Sequence, residues 1–302
     1  MFYKKNIFYS RHLIAATLAI ALTTANAQVP LTIEKKPIQI SGVYPHLAVF
    51  NDHSLTKAQD GTVSGYNTYN DGGECGIGAI VPWAGKLWMI TYSPHRPLGS
   101  SDKLYSIDST LNLSIHPESI GGTPAGRMIH RESNQLLIGP YVIDSNAHIR
   151  VIPSSVMPGR LTAIARHLTD PANLVYYYDM EGKLYEVNVH TLAVRKLFDK
   201  PVPGWHGKGA YTSQHLFVLA NNGEEAVFKL DKSMLKAGDL PQDPEDKGVL
   251  ASWDGNNWKI IQRRQFTDVT GPGGIYGAQD DASPLWSIGW DKRSVLLALL
   301  DG

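Results

Sequence analysis

The feature that most limits what this chain can fold into is a repeat. A short apolar strand, a turn carrying Gly, Asn or Asp, and another strand recur beyond the N-terminal stretch, with almost no helical periodicity. Ala79–Trp83, the turn Ala84-Gly85 and Lys86–Tyr92 read as one hairpin, and Lys103–Ile107 with Leu111–Ile115 as a second. Together they make a four-stranded meander. The pattern returns in 135–152, in 173–197, in 215–261 and again from Ser294. With Leu87, Leu136, Leu174, Leu216 and Val295 as markers, the spacings are about 49, 38, 42 and 79 residues. The first three lie near the length of a propeller blade, roughly 40–50 residues. The last leaves room for a longer loop before the outer hairpin 249–261. A sandwich or barrel is the competing all-β architecture, but sandwiches rarely repeat four-stranded units at this period. The expected fold is an all-β β-propeller. Its final strand ends at Asp301-Gly302, where a hairpin turn would begin, so the propeller is expected to be truncated at the C-terminus, with its last blade cut.

The N-terminus has the layout of a secretory signal. Lys4, Lys5 and Arg11 give a positive start, Leu13–Leu22 a short apolar run, and Ala25-Asn26-Ala27 small residues suited to cleavage after Ala27. The expected division is a signal peptide at 1–27 and an incomplete propeller domain at 28–302, exported to the periplasm or beyond the cell. The apolar run is short for a membrane span, and no other stretch is long and apolar enough for one. Lys plus Arg and Asp plus Glu are equal at 28 each, which argues against a nucleic-acid partner. Cys75 is the only cysteine, so no disulfide forms within the chain and packing alone carries stability. A monomer is expected.

Several stretches are too specific for packing alone. Thr91–His95 ends a strand in a histidine. Gly121–Ser133 contains Arg127 and His130, and Ile138-Gly139-Pro140-Tyr141 follows it. Gly159–His167 contains Arg166, and Pro203–Gly209 contains His206 and Lys208; each starts a unit, as does Thr267–Gly277. They fall at corresponding places in successive blades, and in a propeller such places crowd around one end of the axis. No zinc-ligand spacing, Gly-x-Ser-x-Gly elbow or P-loop ending is present. The architecture admits a calcium ion in the central channel, but no cofactor is demanded. Asp102, Asp179, Glu181 and Asp268 could supply a carboxylate pair for glycoside hydrolysis, but each is as easily a turn acid. A pocket of His, Tyr and Arg suits β-elimination on a uronic acid. Arg holds the carboxylate and the developing enolate, a neutral His or Tyr takes the C5 proton, and another such group protonates the leaving oxygen.

The run Glu74–His95, followed by Gly99–Tyr105, resembles the seven-bladed propellers of glycoside hydrolase family 145, related to polysaccharide lyase family 42. Gly121–Tyr141, His206–Gly209, Val269–Gly277 and Trp286–Asp291 carry the same resemblance, which covers roughly 45–300. It implies a seven-bladed ring and a carbohydrate substrate, L-rhamnose linked α-1,4 to D-glucuronic acid in arabinogalactan-type glycans, cleaved by β-elimination. It further implies His95 and His206 as acid/base groups and Tyr141 as a second proton-transfer group. Arg127 and Arg166 would hold the carboxylate or sugar, with His130, His167 and Lys208 as further substrate contacts. Hydrolysis of the same bond is the second reading; there His46 is the catalytic candidate, and a buried histidine joining strands is as good an account of it. A non-catalytic glycan-binding propeller is the third, with Trp83, Trp205 and Trp253 as stacking platforms. Two features depart from the family: a polar insertion at Asp52–Gly72 and the absence of its C-terminal part.

Overall fold

A computed structural model describes residues 38–39, 48–49, 76–92, 102–122, 124–201, 207–221, 248–263, 274–277, 280–288 and 296–299. The expected signal sequence at 1–27 and the expected insertion at 52–72 lie outside them. Among the described residues every regular element is a strand. A small ladder pairs β1 (Ile38–Gln39) with β2 (Ala48–Val49). The first large sheet is β3 (Gly76–Trp83), β4 (Lys86–Tyr92), β5 (Leu104–Ile107) and β6 (Leu113–Ile115), in that spatial order. The second is β7 (Arg127–His130), β8 (Gln135–Ile138), β9 (Tyr141–Asp144) and β10 (Ile149–Val151). The third is β11 (Leu161–Arg166), β12 (Leu174–Asp179), β13 (Leu184–Asn188) and β14 (Val194–Phe198). The fourth is β15 (Gly207–Ser213), β16 (Leu216–Asn221), β17 (Val249–Trp253) and β18 (Trp258–Gln262). The fifth pairs β19 (Gly274–Tyr276), β20 (Leu285–Ile288) and β21 (Leu296–Leu299).

These are the blades of a β-propeller. Each sheet is an antiparallel meander, and the first strands β7, β11, β15 and β19 pack each against the next. The second strands are apolar at successive positions because both faces of a blade are covered. Leu136 and Ile138 pack toward the first sheet, while Leu137 between them packs toward the third. Tyr177 faces the second sheet, while Tyr176 and Tyr178 face the fourth. Phe217 and Leu219 join the third-sheet core, while Val218 and Ala220 meet Ile275 and Leu285 of the fifth sheet. A continuous apolar run of strand length has this meaning when a sheet is buried on both sides.

Small residues let the first strands meet. The Ala125 and Gly126 amides donate to the Leu161 carbonyl at 2.8 and 3.1 Å, and the Thr162 hydroxyl donates to the Gly207 carbonyl at 2.9 Å. A Cβ on Gly207 would stand 2.1 Å from the Asp179 carbonyl oxygen, and one on Gly126 2.9 Å from Ile164 Cγ1. Further out, side chains bridge blades. The Trp83 indole N–H donates to the Asp144 carbonyl at 2.9 Å, and Arg150 Nη2 donates to the Val189 carbonyl at 2.7 Å.

The turn between third and fourth strands uses one device in each four-stranded blade. Asp108, Asp144, Asn188 and Asp254 open these turns, and the Oδ1 of each accepts two backbone amides, for instance those of His190 and Thr191 at Asn188, both at 2.9 Å. This Asx arrangement substitutes a side chain for the missing ladder partner.

Two experiments test this account. Gly207→Ala should cost about 3 kcal/mol, because backbone cannot move out of the way, whereas Gly209→Ala, whose Cβ would meet nothing closer than 3.4 Å, should be near neutral in urea unfolding. The second concerns Asp179, fully buried at the β12–β13 turn. Lys183 N–H donates to its Oδ1 at 2.7 Å, and the Tyr185 hydroxyl to its Oδ2 at 3.2 Å. Burial raises its pKa from 3.8 to about 6. The protonated group therefore contributes stability that is complete below 3.8 and lost as pH rises through about 6. Asp179→Asn keeps the acceptor without the charge, so its stability relative to the parent should rise across that window.

Candidate functional site

The first strands leave a cavity of about 570 Å3 along the axis, lined by residues of β7, β11 and β15 and of the β19 segment. Its volume lies in the range of small-molecule binding pockets. These strands run in the same direction, so the cavity has a leading end, where they begin, and a trailing end, where they finish. Lys208 stands near the start of β15 and Thr212 near its finish, about 13 Å apart along an extended strand. Arg127 opens β7 and Arg166 closes β11.

Charge is divided along this axis. Arg127 and Lys208 line the leading half, where none of the described lining residues is acidic. Lys208 is only 8% exposed, yet neither it nor Arg127 makes an ion pair among the described residues. Among the described residues the Arg127 guanidinium makes a 3.3 Å hydrogen bond from Nη1 to the Ala125 carbonyl. Arg127 is exposed to solvent, but Lys208, withdrawn from water without a counter-charge among the described residues, is held at a cost that an anionic ligand removes. At the trailing end Arg131 and Arg166 stand with Glu132, Asp280 and Asp281. There Arg166 Nε donates to Glu132 Oε1, and Asp280 caps its own turn by accepting the Ala282 and Ser283 amides. Asp281 lies 3.6 Å from His215 Nδ1.

The expected site residues sort by end. Arg127 pairs with Ile138 and Ile138 with Tyr141, so Tyr141 shares the leading end of its blade. His206 immediately precedes β15, and His95 follows by three residues the end of β4, where Tyr92 pairs with Gly76 at the start of β3. His46, His95 and His206 themselves lie outside the described residues. Tyr141 is buried behind the cavity rather than lining it. Its hydroxyl accepts the Ile120 amide at 2.9 Å, and burial raises its pKa to about 12.

His130, Arg166 and His167 stand at the trailing end, away from that group. His130 is buried, its Nδ1 2.6 Å from the Ser133 hydroxyl and its Nε2 2.8 Å from the Pro171 carbonyl, and burial lowers its pKa. His167 Nδ1 accepts the Thr169 and Asp170 amides at 3.2 and 2.9 Å, and its Nε2 meets Glu186 at 3.1 Å. Both rings are committed to turns and neither lines the cavity, so the expected substrate contact is replaced by a structural one. Trp253 stacks on Trp258 at 5.7 Å among Phe198 and Tyr176, which makes it a packing residue between blades rather than an open platform. Trp83 is held by its indole bond to Asp144; Trp205 lies outside the described residues. Asp179 is buried, and Glu181 holds Arg160 at 2.6 Å; neither lines the cavity.

The sequence reading did not single out Arg131, Glu132 or Tyr211 as site residues. Glu132 is the carboxylate that answers Arg166, and Tyr211 closes the wall by donating its hydroxyl to the Gly277 carbonyl at 2.7 Å. Arg131 and Glu132 lie in the turn that follows β7 and Tyr211 lies on β15, and no local sequence pattern marks them before those elements are placed on the axis. Among the described residues no group of His, Cys, Asp and Glu could hold a metal ion, and no helix is long and apolar enough to cross a membrane.

No protein-family model and no curated protein matches the chain. Solved structures do. A Bacteroides thetaiotaomicron protein of unknown function aligns at 11% identity over 73% of this chain and 56% of its own, with a TM-score of 0.43. The WD40 β-propeller domain of Doa1 aligns at 10% identity over 72% of this chain and 61% of its own, TM-score 0.40. The Dos1 propeller aligns at 14% identity over 71% of this chain and 51% of its own, TM-score 0.41. The chain thus spans between about half and three fifths of their lengths. They say nothing of its chemistry.

The leading-end cations should be readable in binding. Lys208→Ala and Arg127→Ala should each weaken glucuronate binding about tenfold, the loss of one charge-assisted contact. Titration calorimetry at two salt concentrations would check it: the parent should weaken with salt more than either variant.

Proposed function

We propose that this chain is an exported carbohydrate-active lyase that takes a uronate-bearing glycan into the axial cavity. It releases L-rhamnose α-1,4-linked to D-glucuronic acid by β-elimination. The observation that carries the reading is the pair of cations, Arg127 and Lys208, facing a half of the cavity where, among the described residues, no acid lines the wall and neither cation has an ion-pair partner. A carboxylate supplies the missing counter-charge. The resemblance of Glu74–His95 and the other quoted segments to the rhamnosyl-glucuronate propellers supplies the bond that is cleaved.

The roles follow from the chemistry. Arg127 and Lys208 bind the glucuronate carboxylate and stabilise the enolate that forms when the C5 proton leaves. His95 or His206 takes that proton, and the other protonates the departing C4 oxygen. The electron pair of the C5–H bond becomes the C4–C5 double bond as the C4–O bond breaks, leaving free rhamnose and an unsaturated uronate. No redox partner is consumed. Arg166, at the other end of the cavity, is not part of this step. Export rests on the signal-like segment ending at Ala27.

The test is to incubate the protein with a rhamnose-capped glucuronide and follow free rhamnose together with the absorbance of an unsaturated uronate. Both should rise, and His95→Ala should abolish both with an unchanged melting temperature. Rhamnose without the absorbance would replace elimination by hydrolysis of the same bond. Binding with neither product would leave a glycan-binding propeller.

A further inference from the structure

Lys208 occupies a position on β15 that a regular strand does not have. Gly207 pairs with Asn221 and Gly209 with Ala220, so one step along β16 matches two along β15, and Lys208 is the extra residue. The same slip occurs near the start of two other first strands. Ile77 pairs with Thr91 and Ala79 with Ile90, which makes Gly78 the extra residue of β3. Leu161 pairs with Asp179 and Ala163 with Tyr178, which makes Thr162 that of β11. A bulge of this kind takes one side chain out of the strand's alternation and re-aims it. The residues flanking Lys208 show the effect. A Cβ on Gly207 would face the Asp179 carbonyl and the Tyr178 ring of the third blade, and Ala210 packs in the core between the third and fourth blades. Residues three apart on a regular strand lie on opposite faces, so the extra residue brings these two to one face. Gly209 faces Ile275 of the fifth blade. Lys208, between Gly207 and Gly209, lines the cavity.

The peptide that carries Lys208 is held from the neighbouring blade. The Gly207 amide donates to the Met180 carbonyl at 3.2 Å. The Gly207 carbonyl, whose carbon bonds the Lys208 nitrogen, accepts the Thr162 hydroxyl at 2.9 Å. Thr162 is buried and is itself the extra residue of its strand, so the bulge of the third blade fastens that of the fourth. The other carbonyl near its hydroxyl, that of Tyr178, is further away at 3.3 Å, and a hydroxyl has one proton to give. We infer that Thr162 is a positioning residue for Lys208: its hydroxyl fixes the Gly207–Lys208 peptide and so aims the cation into the leading half of the cavity. Three blades thus use one structural position in three ways. Gly78 allows close approach to the Pro124 carbonyl, Thr162 fastens, and Lys208 presents the charge. The inference rests on the proposed uronate reading for the ligand of that charge, and on the strand register for its placement.

The experiment has two arms, both on the full chain, with melting temperatures to confirm the fold. The first measures glucuronic acid binding by titration calorimetry. Thr162→Val, which keeps the shape and removes the donor, should weaken binding severalfold, up to the about tenfold loss expected of Lys208→Ala. Thr162→Ser should keep the affinity to within about twofold. Thr162→Val added to Lys208→Ala should cost nothing further, as for two groups that act as one. An unchanged affinity in Thr162→Val overturns the inference, and additive losses overturn it by making Thr162 a contact of its own. The second arm needs no ligand: lysines are acetylated and read by mass spectrometry, with Lys196, whose side chain is 48% exposed, as internal reference. Lys208 should react more slowly than Lys196 in the parent and in Thr162→Ser, and severalfold faster in Thr162→Val than in the parent. Equal protection in the parent and Thr162→Val overturns the positioning role whatever the ligand. The double variant Lys208→Gly, Gly209→Lys leaves Thr162 intact and moves the cation off the extra position onto the face toward Ile275. Its affinity should fall as in Lys208→Ala, and parent-like binding overturns the inference. Failure of the uronate reading shows separately, as glucuronic acid binding that Lys208→Ala leaves unchanged while acetylation behaves as expected.

Discussion

Everything in this fold depends on how closely the first strands of successive blades approach one another. At Gly207 the neighbouring backbone leaves no room for a Cβ, and at Gly126 one would force the Ile164 side chain to shift. The main chains therefore bond across the blade boundary, through Ala125, Gly126 and the Thr162 hydroxyl. Small residues are poor strand formers, and Gly is weak in a strand interior. They are tolerated here because each first strand is held by its own second strand on one side and by neighbouring blades across both faces. The same closeness fixes what can face the axis. Side chains there cannot be packed as a core, since the strands diverge around a cavity, so the positions that point inward are free to be Arg, Lys, Thr and Tyr.

The outer strands meet a different constraint. Their faces are wedged between blades, and the wedge is filled by alternating sets: Leu137 to one side, Leu136 and Ile138 to the other. Aromatic residues accumulate where the gap widens, as with Phe198, Phe217, Trp253 and Trp258 between the third and fourth blades. Polar groups survive in these layers only when held. Arg150 does so by spanning to the Val189 and His190 carbonyls, and His130 and His167 by fastening turns. An isolated histidine in such a wall is a fastener first, which is why two of the expected contacts moved from the site to the scaffold.

This division explains what was legible in the sequence. Continuous runs such as Leu136–Ile138, Val175–Tyr178 and Phe217–Ala220 announce strands buried on both faces, and the hairpin Ala84-Gly85 sits where its dipeptide indicates, with φ of 49° and 72°. The Asp and Asn turns are equally plain. The first strands were not plain. Gly159–His167 and Pro203–Gly209 read as chemistry-bearing stretches that start a unit, and they contain β11 and the beginning of β15. Their Gly, Ala and Thr content carries no strand signal of its own; the neighbouring blades supply what propensity lacks. Which end of the cavity a residue occupies was also invisible. Arg127 and Arg166 look alike in a list of cations, and only the register separates them.

The register also gives the cavity a direction that chemistry can use. Elimination needs a carboxylate held by cations beside groups that move protons, with no competing carboxylate nearby to neutralise those cations. In the proposed reading Arg127 and Lys208 would be those cations, at the leading end, and His206 precedes Lys208 in the chain by two residues. At the trailing end the acids return, and a cation there is already answered, as Arg166 is by Glu132. Had the acids been spread evenly along β7, β11 and β15, the cavity would have offered a uronate no preferred place. Because the acids among the described lining residues lie at one end, the proposed uronate-bearing glycan would have a preferred orientation, with its charged unit at the end lined by Arg127 and Lys208. Orientation thus follows from where four strands start and finish, before any loop contributes.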